Sequence, residues 1–407
     1  MDENKKPVIV IALITGACVL GNEMLFIVMP IYWEFFGLTS LWQVGVLLSI
    51  NRFIRLPMNP VVGWCYHKID KRTGILIAVT LSIISTFSYG SLKGFWILLA
   101  MRILWGISWS FLRLGGYLTV ISSSGNKTRG QFIGLYNGLW GLGTLFGMLI
   151  GGVFTELVGI RMITTVFAII GILTIPLVIR FVPNTVSVPN VEKERKANSI
   201  FTDKKQLMIL VNGLIVAFVI YGIFSSTISK VIEYQMDDKF IVLSFTVGAV
   251  AVAGLIQAFR MGLDPFIAPL IGKWSDQKCG RIPMLMIALL FGSISLFIIP
   301  LKIPFYLFLC LLLVFQLTST LLITTSDSLA ADLSTGPTGI KTMTYYTLSA
   351  DLGSALGSLI SFIVIDFIGL HWLYWITSSL LCMLLIFWCK ESLVNNNKIL
   401  NILLGRG

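Results

Sequence analysis

The sequence predicts an all-α membrane protein with twelve transmembrane helices arranged as two pseudo-symmetric six-helix bundles. Three observations support this fold class: an apolar composition, one polar segment near the midpoint, and residues that recur at a constant spacing. Of the 407 residues, 56% are hydrophobic and only 12% are charged, whereas soluble domains carry roughly 25% charged residues. A membrane-spanning helix needs about 20 apolar residues. This composition therefore excludes an ordinary soluble enzyme.

Twelve apolar stretches are the predicted spans, six on each side of the polar segment. They lie at about 7–33, 40–66, 73–92, 94–122, 130–156, 160–182, 206–231, 241–272, 281–301, 303–333, 340–366 and 368–390. The predicted domains are an N-terminal bundle at 1–182, a cytoplasmic linker at 183–205 and a C-terminal bundle at 206–407.

The basic residues indicate how the chain crosses the membrane. The net charge is +11, from 30 Lys and Arg against 19 Asp and Glu. With both termini in the cytoplasm, 20 of the Lys and Arg residues fall in inner segments and 5 in outer ones. Cytoplasmic loops carry such an excess of basic residues. The expectation is a multi-pass protein of the cell (inner) membrane, and the positive charge does not require a nucleic-acid partner.

Cysteine and histidine give little support for metal or redox chemistry. The six cysteines form no CxxC pair, although closely spaced ligands are typical of metal sites. The only histidines, His67 and His371, lie far apart in the sequence. We therefore expect neither a metal nor a cofactor, and no enzymatic activity. The expected partners are a small-molecule substrate, protons and membrane lipid, with the protein acting as a monomer.

Residues that recur at a constant spacing indicate an internal duplication. Pro60 and Gly63, at the end of the second span, match Pro269 and Gly272 at 209 positions further on. Fifth-span residues recur at a spacing of 210, as Tyr136, Gly143, Gly147, Glu156 and Gly159 against Tyr346, Gly353, Gly357, Asp366 and Gly369. Internal repeats of this kind are a feature of many transporter folds.

The loops that follow the duplicated second span carry a recognisable pattern. The first copy reads Gly63-Trp-Cys-Tyr-His67-Lys68-Ile-Asp70-Lys71-Arg72, and the second reads Gly272-Lys-Trp-Ser-Asp276 followed by Gly280-Arg281. These residues resemble the signature loop of the major facilitator superfamily, and the repeat extends the resemblance across essentially the whole chain. The first copy departs from the family pattern, because His67 replaces the acid and Asp70 the second glycine.

Two further motifs resemble the drug:proton antiporter branch of that superfamily. The fourth span contains Arg102-Ile-Leu-Trp-Gly106, similar to the family's Arg-x-x-x-Gly motif, and the fifth contains Gly143-Thr-Leu-Phe-Gly147-Met148-Leu-Ile-Gly151-Gly152. The latter resembles the antiporter glycine motif, with Met148 where its proline belongs. The resemblance implies a secondary transporter that works by alternating access, most similar to exporters of small amphiphilic compounds.

Four arginines inside the predicted spans are candidates for anion binding. A charge at the centre of a span costs about 2.5–3.5 kcal/mol on insertion scales and usually faces the bundle interior. Arg52 and Arg55 share a helix face, and Arg102 and Arg113 lie within about 20° of each other around the fourth span. For Arg102 the alternative is a structural role that joins helices. The predicted substrate-binding residues are Arg52, Arg55, Arg113, Asn51 and Tyr346.

Acidic residues within the spans are the candidates for proton coupling. The predicted carriers are Glu23, Asp264 and Asp351, and intramembrane acids commonly form proton relays. Glu23 and Asp351 have no obvious partner in their own helices, although a permanently protonated acid is the alternative. Asp264 occupies the repeat position of Arg55. Its alternative role is a salt bridge with Arg260, four residues earlier on the helix.

Residues of the two loops and the glycine stripe are the predicted gates. The stripe suits either close packing alone or a seam that slides during transport. The full set comprises Gly63, His67, Asp70, Arg72, Arg102, Gly143, Gly147, Gly151, Gly272, Asp276 and Arg281.

The resemblance also implies a cytoplasmic latch, in which a loop acid lies near the N-terminus of a helix whose dipole favours negative charge. Because His67 cannot supply that charge, we expect a lopsided latch that depends mainly on Asp276, near the start of the fifth span at Gly130. Asp70 is a possible substitute in the first half. The alternative is that both loops only fix the topology through their basic residues.

The leading interpretation is a proton-coupled exporter of a small amphiphilic, anionic compound such as a drug, siderophore or metabolite. A proton-coupled importer of an anionic metabolite and a lipid-translocating protein on the same scaffold remain alternatives. A membrane receptor would need an extended soluble output domain, for which the apolar composition leaves little room.

Overall fold

The computed structural model describes residues 5–123, 129–182, 184, 204–236, 240–242, 245–275, 279–333 and 339–403. The first half contains α1 (Lys5–Val28), α2 (Leu41–Phe53), α3 (Arg55–Lys68), α4 (Lys71–Ser91), α5 (Phe95–Ser123), α6 (Arg129–Val158) and α7 (Ile160–Phe181). The second half contains α8 (Lys204–Ala217), a π-helical segment (Phe218–Phe224), α9 (Ser225–Gln235), β1 (Phe240–Val242), β2 (Phe245–Val247), α10 (Ala249–Trp274), α11 (Arg281–Ile298), α12 (Phe305–Leu333), α13 (Gly339–Ile368) and α14 (Leu370–Leu403).

The predicted helical membrane fold is confirmed. Within the described residues, ten helices are long and apolar enough to cross a membrane, and α10 makes eleven if its two parts count as one span. The remaining predicted span corresponds to α2 and α3 together, which are separated only by Ile54. The segment Lys204–Gln235, which includes the π-helical turn, forms one span.

Prolines account for the two interrupted spans. Pro57 lies four residues after Phe53, and a proline ring clashes with the carbonyl at that position, so α2 ends there and α3 starts at Arg55. In α10 the parts Ala249–Asp264 and Phe266–Trp274 meet at an angle of 46°, and the residue between them is Pro265. The two breaks are next to Arg55 and Asp264, the repeat-related charged pair.

Three boundaries differ from the prediction by five residues or more. The first span was expected to end near residue 33, but α1 ends at Val28. The eighth span was expected to begin at residue 241, but β1 and β2 form an antiparallel hairpin there and α10 begins at Ala249. The aromatic and β-branched composition of Phe240–Val242 and Phe245–Val247 favours strands. The last helix was expected to end near residue 390, whereas α14 continues to Leu403.

Helix positions support the duplication. Helices α4, α5, α6 and α7 begin at residues 71, 95, 129 and 160, and α11, α12, α13 and α14 begin at 281, 305, 339 and 370, each 210 positions later. The turns match as well, since Gly159 and Gly369 have φ angles of 84° and 95°, a region that glycine adopts without steric cost.

The chain divides into two compact units. The first comprises Met1–Lys196, Gly222–Gly262 and Ala355–Asp366, and the second comprises Ala197–Tyr221, Leu263–Ser354 and Phe367–Gly407. The first unit thus combines α1–α7 and α9 with β1, β2 and parts of the π-helical segment, α10 and α13. The division into bundles at 1–182 and 206–407 stays a prediction, and most of the predicted linker at 183–205 lies outside the described residues.

Candidate functional site

The glycine stripe of α6 packs against α1. A Cβ atom on Gly147 would lie 2.7 Å from the Leu20 carbonyl oxygen, and one on Gly151 would lie 2.5 Å from Met24 Cγ. Gly143 contacts the backbone of Gly16 directly. Because none of these positions has room for a methyl group, the stripe provides close packing inside the first half. Its predicted role in gating stays a prediction.

Other small residues bring α6 against α10 and α2 against α13 within the first unit. A Cβ atom on Gly254 would lie 2.7 Å from the Met148 carbonyl oxygen and 3.0 Å from Gly152 Cα. A Cβ atom on Gly45 would lie 2.9 Å from the Leu359 carbonyl oxygen and 3.0 Å from Phe362 Cβ. Gly254 follows Gly45 by 209 positions, and Phe362 follows Gly152 by 210. We call these contacts the α6–α10 seam, at Gly152 and Gly254, and the α2–α13 seam, at Gly45 and Phe362. The two seams are therefore repeat-related.

Glu156 adds a polar contact to the α6–α10 seam. Its Oε2 atom accepts a hydrogen bond of 2.8 Å from the Gly248 backbone N–H, and its Oε1 atom accepts one of 3.4 Å from Ala251. These N–H groups belong to the start of α10, where the first N–H groups of a helix lack internal partners and the dipole favours a carboxylate. The sequence identifies Glu156 only as a repeat residue, because its partners lie 92 and 95 positions away.

Glu23 belongs to a polar network formed by side chains of α1, α2 and α5. Asn22 Nδ2 donates to Glu23 Oε1 at 2.8 Å, while Asn22 Oδ1 accepts from Arg102 Nη1 at 2.6 Å and from Asn51 Nδ2 at 3.2 Å. Arg52, Arg102 and Arg55 interact electrostatically with the Glu23 carboxyl group. The expectation of a Glu23 without a partner in its own helix is therefore wrong, because the adjacent Asn22 amide reaches its carboxyl group.

Arg102 has the geometry of a structural residue. Its side chain is completely buried, and Nε and Nη2 donate to the carbonyl oxygens of Leu47 and Leu48 at 2.6 and 3.5 Å. With the bond to Asn22, the guanidinium joins α5 to both α1 and α2. These contacts favour the structural alternative over a gating role for Arg102.

The two arginines at the α2–α3 break differ in their surroundings. Arg55 is buried and its Nε donates to the Asn51 carbonyl oxygen at 3.2 Å. Arg52 is only partly buried; its Nη1 lies 3.5 Å from Ser358 Oγ, and its Cζ lies 5.1 Å from the centre of the Phe26 ring. Arg52 is thus the more accessible of the two for a bound anion.

Arg113 lies among aromatic side chains. It is partly buried, and its Cζ atom lies 5.9 Å from the centre of the Tyr117 ring. Arg113 also interacts electrostatically with Tyr136. A cation at this distance from an aromatic face gains about 0.5–1 kcal/mol or more. The predicted substrate-binding arginines therefore occupy two different environments, one beside Glu23 and one beside the aromatic residues of α5 and α6.

The second unit contains two acid–hydroxyl pairs. Thr320 Oγ1 donates to Asp264 Oδ1 at 2.5 Å, and the Tyr346 hydroxyl donates to Asp327 Oδ1 at 2.8 Å. Tyr346 is buried and packs against Gly213, so its predicted role in substrate binding stays a prediction. The same is true of proton coupling through Asp264 and Asp351, both of which are partly buried.

The cytoplasmic-loop residues are only partly described. Asp70 caps α4, since its carboxylate accepts from the Thr73 N–H at 3.0 Å and from Thr73 Oγ1 at 2.7 Å. Slight burial opposes ionisation, but these hydrogen bonds and the Arg72 charge lower the pKa of the Asp70 carboxyl group overall. His67 is exposed, and Gly63 and Gly272 have open space around them among the described residues.

Arg72 and Arg281, the predicted gating arginines of the two loops, have backbone partners. Arg72 Nε donates to the Val182 carbonyl oxygen at 3.1 Å, and Arg281 contacts the Ser328 carbonyl oxygen and the Asp332 carboxylate. Asp276 lies outside the described residues. The lopsided latch therefore stays a prediction.

The arrangement defines a class of protein: a polytopic helical transporter built from an internal repeat. The family model of the Major Facilitator Superfamily matches residues 11–264 and 254–398, so the chain belongs to that superfamily. It is 25% identical to the uncharacterised MFS-type transporter MJ1560 of Methanocaldococcus jannaschii, over 92% of this chain and 95% of that protein. It is 26% identical to the multidrug resistance efflux pump PmrA of Streptococcus pneumoniae, over 92% of each protein.

Solved structures share this fold. A bacterial homologue of the human lysosomal transporter Spinster, in an inward-facing and occupied conformation, matches with a TM-score of 0.75 at 15% identity, covering 95% of this chain and 96% of that one. The nucleoside transporter NupG matches with a TM-score of 0.74 at 11% identity, covering 96% and 99%. These structures show the fold, and membership of the superfamily makes the protein a multi-pass membrane transporter.

Proposed function

We propose that this transporter is a proton-coupled exporter of a small amphiphilic, anionic compound that works by alternating access between bundles at 1–182 and 206–407. The proposed location is the cell (inner) membrane with both termini in the cytoplasm. Support for export comes from the relationship to a multidrug efflux pump and from the antiporter-like glycine motif. Support for proton coupling comes from one observation, the Glu23 carboxyl group in a hydrogen-bonded network with Asn22 and Arg102, on which the charges of Arg52 and Arg55 also act.

Glu23 is suited to couple a proton to conformational change. Its carboxyl group accepts a hydrogen bond from Asn22, and Arg102 fixes that amide by binding its oxygen. Protonation of Glu23 removes one negative charge from a cluster that contains Arg52, Arg55 and Arg102. Coulomb energies between charges inside a protein are larger than those between the same charges in water. The charge state of Glu23 therefore changes the field that an anionic substrate meets.

A second candidate is import of an anion together with a proton, and the same cluster favours it. A protonated Glu23 makes the field of the arginines more positive, so proton and anion binding assist each other. Coupling between two ligands is reciprocal, and ligands that assist each other tend to move in the same direction. Export against an inward proton gradient instead requires that substrate and proton exclude each other on the transporter.

The test uses purified protein in liposomes with an imposed pH gradient and a labelled aromatic carboxylate inside or outside. For export, substrate moves towards the acidic compartment as protons enter the other one. For import with a proton, substrate accumulates in the alkaline compartment. A substrate flux that depends on neither the size nor the sign of the pH gradient contradicts proton coupling in either direction.

Arginine variants test the anionic character of the substrate. Replacement of Arg55 or Arg113 by Gln should lower affinity about tenfold, because a guanidinium binds a carboxylate through paired, charge-assisted hydrogen bonds. Arg161→Gln, in the first turn of α7, is the matched control. If Arg55→Gln and Arg113→Gln both bind every transported anion with wild-type affinity, the substrate charge is bound elsewhere.

A further inference from the structure

Four residues of α5 repeat at a spacing of four. Trp105, Trp109, Arg113 and Tyr117 therefore lie along one side of the helix. The rings of Trp105 and Trp109 are 6.2 Å apart, and the Arg113 guanidinium lies 5.9 Å from the Tyr117 ring. The stripe thus places one cation among three aromatic rings.

Helix α6 completes this surface. The rings of Trp109 and Trp140 are 5.2 Å apart and meet edge to face at 72°, and the rings of Tyr117 and Tyr136 are 5.6 Å apart. Trp140 Nε1 donates to Asn137 Oδ1 at 3.1 Å, which fixes the orientation of the indole. We call Trp109, Tyr117, Tyr136 and Trp140, with Arg113 among them, the aromatic wall.

Part of the aromatic wall is accessible. Trp109 and Tyr136 are buried, whereas Arg113, Tyr117 and Trp140 are partly exposed. Asn137 is exposed. The exposed part of the wall therefore presents a cation and two aromatic rings beside an amide.

The surface of α6 beyond Asn137 is open. Cβ atoms on Gly134, Gly138 and Gly141 would meet no atom of the described residues within 4 Å. Leu142 and Phe146 continue the same spacing of four after Gly138 and are exposed, at 44% and 47%. The glycines therefore leave space beside Asn137 that side chains of α6 do not fill.

Trp109 contributes an unused hydrogen-bond donor. Its indole N–H is buried and has no acceptor within the part of the chain that the structure describes. A buried N–H without a partner is destabilising. The ring of Trp140 contacts that of Trp109 and is itself partly exposed, so this donor lies next to the accessible part of the aromatic wall.

We propose that the aromatic wall is a substrate subsite for an aromatic carboxylate, and this inference rests on the proposed transport of an amphiphilic anion. The carboxylate pairs with Arg113, whose guanidinium suits bidentate binding. The ring of the ligand packs against Trp140 in an offset or edge-to-face arrangement, the geometry that aromatic pairs prefer. The surrounding Asn137 and glycine surface leaves room for the polar end of the ligand.

Binding of three probes to the full-length protein in detergent, measured by calorimetry, tests the subsite. 2-Naphthoate carries both the ring and the charge, cyclohexanecarboxylate carries the charge alone, and 2-naphthalenemethanol carries the ring alone. We expect 2-naphthoate to bind the wild type at least about tenfold more tightly than either of the others, because it uses both groups.

Substitutions at Trp140 assign the ring to the wall. Trp140→Leu should weaken 2-naphthoate about fivefold to tenfold and change cyclohexanecarboxylate by less than about twofold. Trp140→Phe, which keeps an aromatic ring, should restore most of the affinity. Trp96→Leu is the matched control, because Trp96 lies at the start of α5, outside the aromatic wall, and is 77% exposed. Gel-filtration profiles identify any variant that fails to fold.

Two outcomes would overturn the subsite. One is equal binding of 2-naphthoate and cyclohexanecarboxylate to the wild type, or no binding of either. The other is an equal loss for both ligands in Trp140→Leu with no recovery in Trp140→Phe. Neither outcome decides the proposed function, because proton-coupled flux is measured separately in liposomes and depends on Glu23.

Discussion

The two halves of the repeat use one helical framework for opposite chemistry. Helices α5 and α6 correspond to α12 and α13 at a spacing of 210. In the first half four of the wall positions are Trp109, Arg113, Tyr117 and Trp140, and the corresponding residues in the second half are Ser319, Ile323, Asp327 and Ala350. These positions are aromatic and basic in the first half, whereas in the second half they include an acid and no aromatic or basic residue.

The shared tyrosine shows how this difference arises. Tyr136 and Tyr346 are repeat-related. Tyr136 packs its ring against Tyr117, and Tyr346 donates a hydrogen bond to Asp327, the repeat partner of Tyr117. One substitution thus turns an aromatic contact into an acid–hydroxyl pair on the same backbone. The duplicated fold therefore fixes helix positions, while single residues decide what each half can bind.

The largest expected effect concerns the buried Arg102. Arg102→Met should lower the free energy of unfolding by about 3 kcal/mol, because the acceptors on Asn22, Leu47 and Leu48 lose a charged donor. The repeat-related Leu312 is also fully buried, and Leu312→Met should cost less than about 1.5 kcal/mol. Unfolding in SDS, followed by circular dichroism, measures both. Similar losses at the two positions would show that Arg102 acts only as a space-filling residue.

The next effect concerns the two seams. Glu156→Ala should cost about 1 kcal/mol, because the start of α10 loses its carboxylate partner. The repeat-related Asp366 is exposed, so Asp366→Ala should cost less than about 0.5 kcal/mol. Thermal unfolding in detergent provides the comparison. If Asp366→Ala is as damaging as Glu156→Ala, the asymmetry between the seams is not real.

The smallest effect concerns the paired tyrosines. Tyr346→Phe should cost about 1 kcal/mol, because it removes a 2.8 Å hydrogen bond to a carboxylate. Tyr136→Phe should cost only a few tenths, since the hydroxyl oxygens of Tyr136 and Thr15 are 3.4 Å apart, which is long for such a bond. The same unfolding assay ranks them. A larger loss for Tyr136→Phe would contradict the ranking.

The fold was predictable because it depends on features that are local in sequence. Apolar length predicts the spans, and the constant spacing of Gly63 and Tyr136 with their copies predicts the duplication. The break between α2 and α3 also has a local signal, because Pro57 lies four residues after the end of α2. The hairpin at Phe240–Val247 was missed because its apolar residues are as compatible with a helix as with strands.

The site was predictable only as a set of residue types. Charged residues inside spans identify Glu23, Arg52 and Arg102, but not that the Asn22 amide connects two of them. The partner of Glu156 and the contact between Trp109 and Trp140 depend on how helices distant in sequence are rotated against each other. Nothing in the spacing of one helix determines that rotation.

The most direct test of the central claim compares Glu23→Gln with Glu34→Gln in liposomes, since Glu34 is an exposed acid outside the helices. Two quantities are measured for each variant: accumulation of a labelled aromatic carboxylate driven by a pH gradient, and exchange of that substrate without a gradient. The account predicts that Glu23→Gln loses gradient-driven accumulation but retains most of the exchange, while Glu34→Gln behaves like the wild type. Wild-type accumulation and pH dependence in Glu23→Gln would show that Glu23 does not carry the coupled proton.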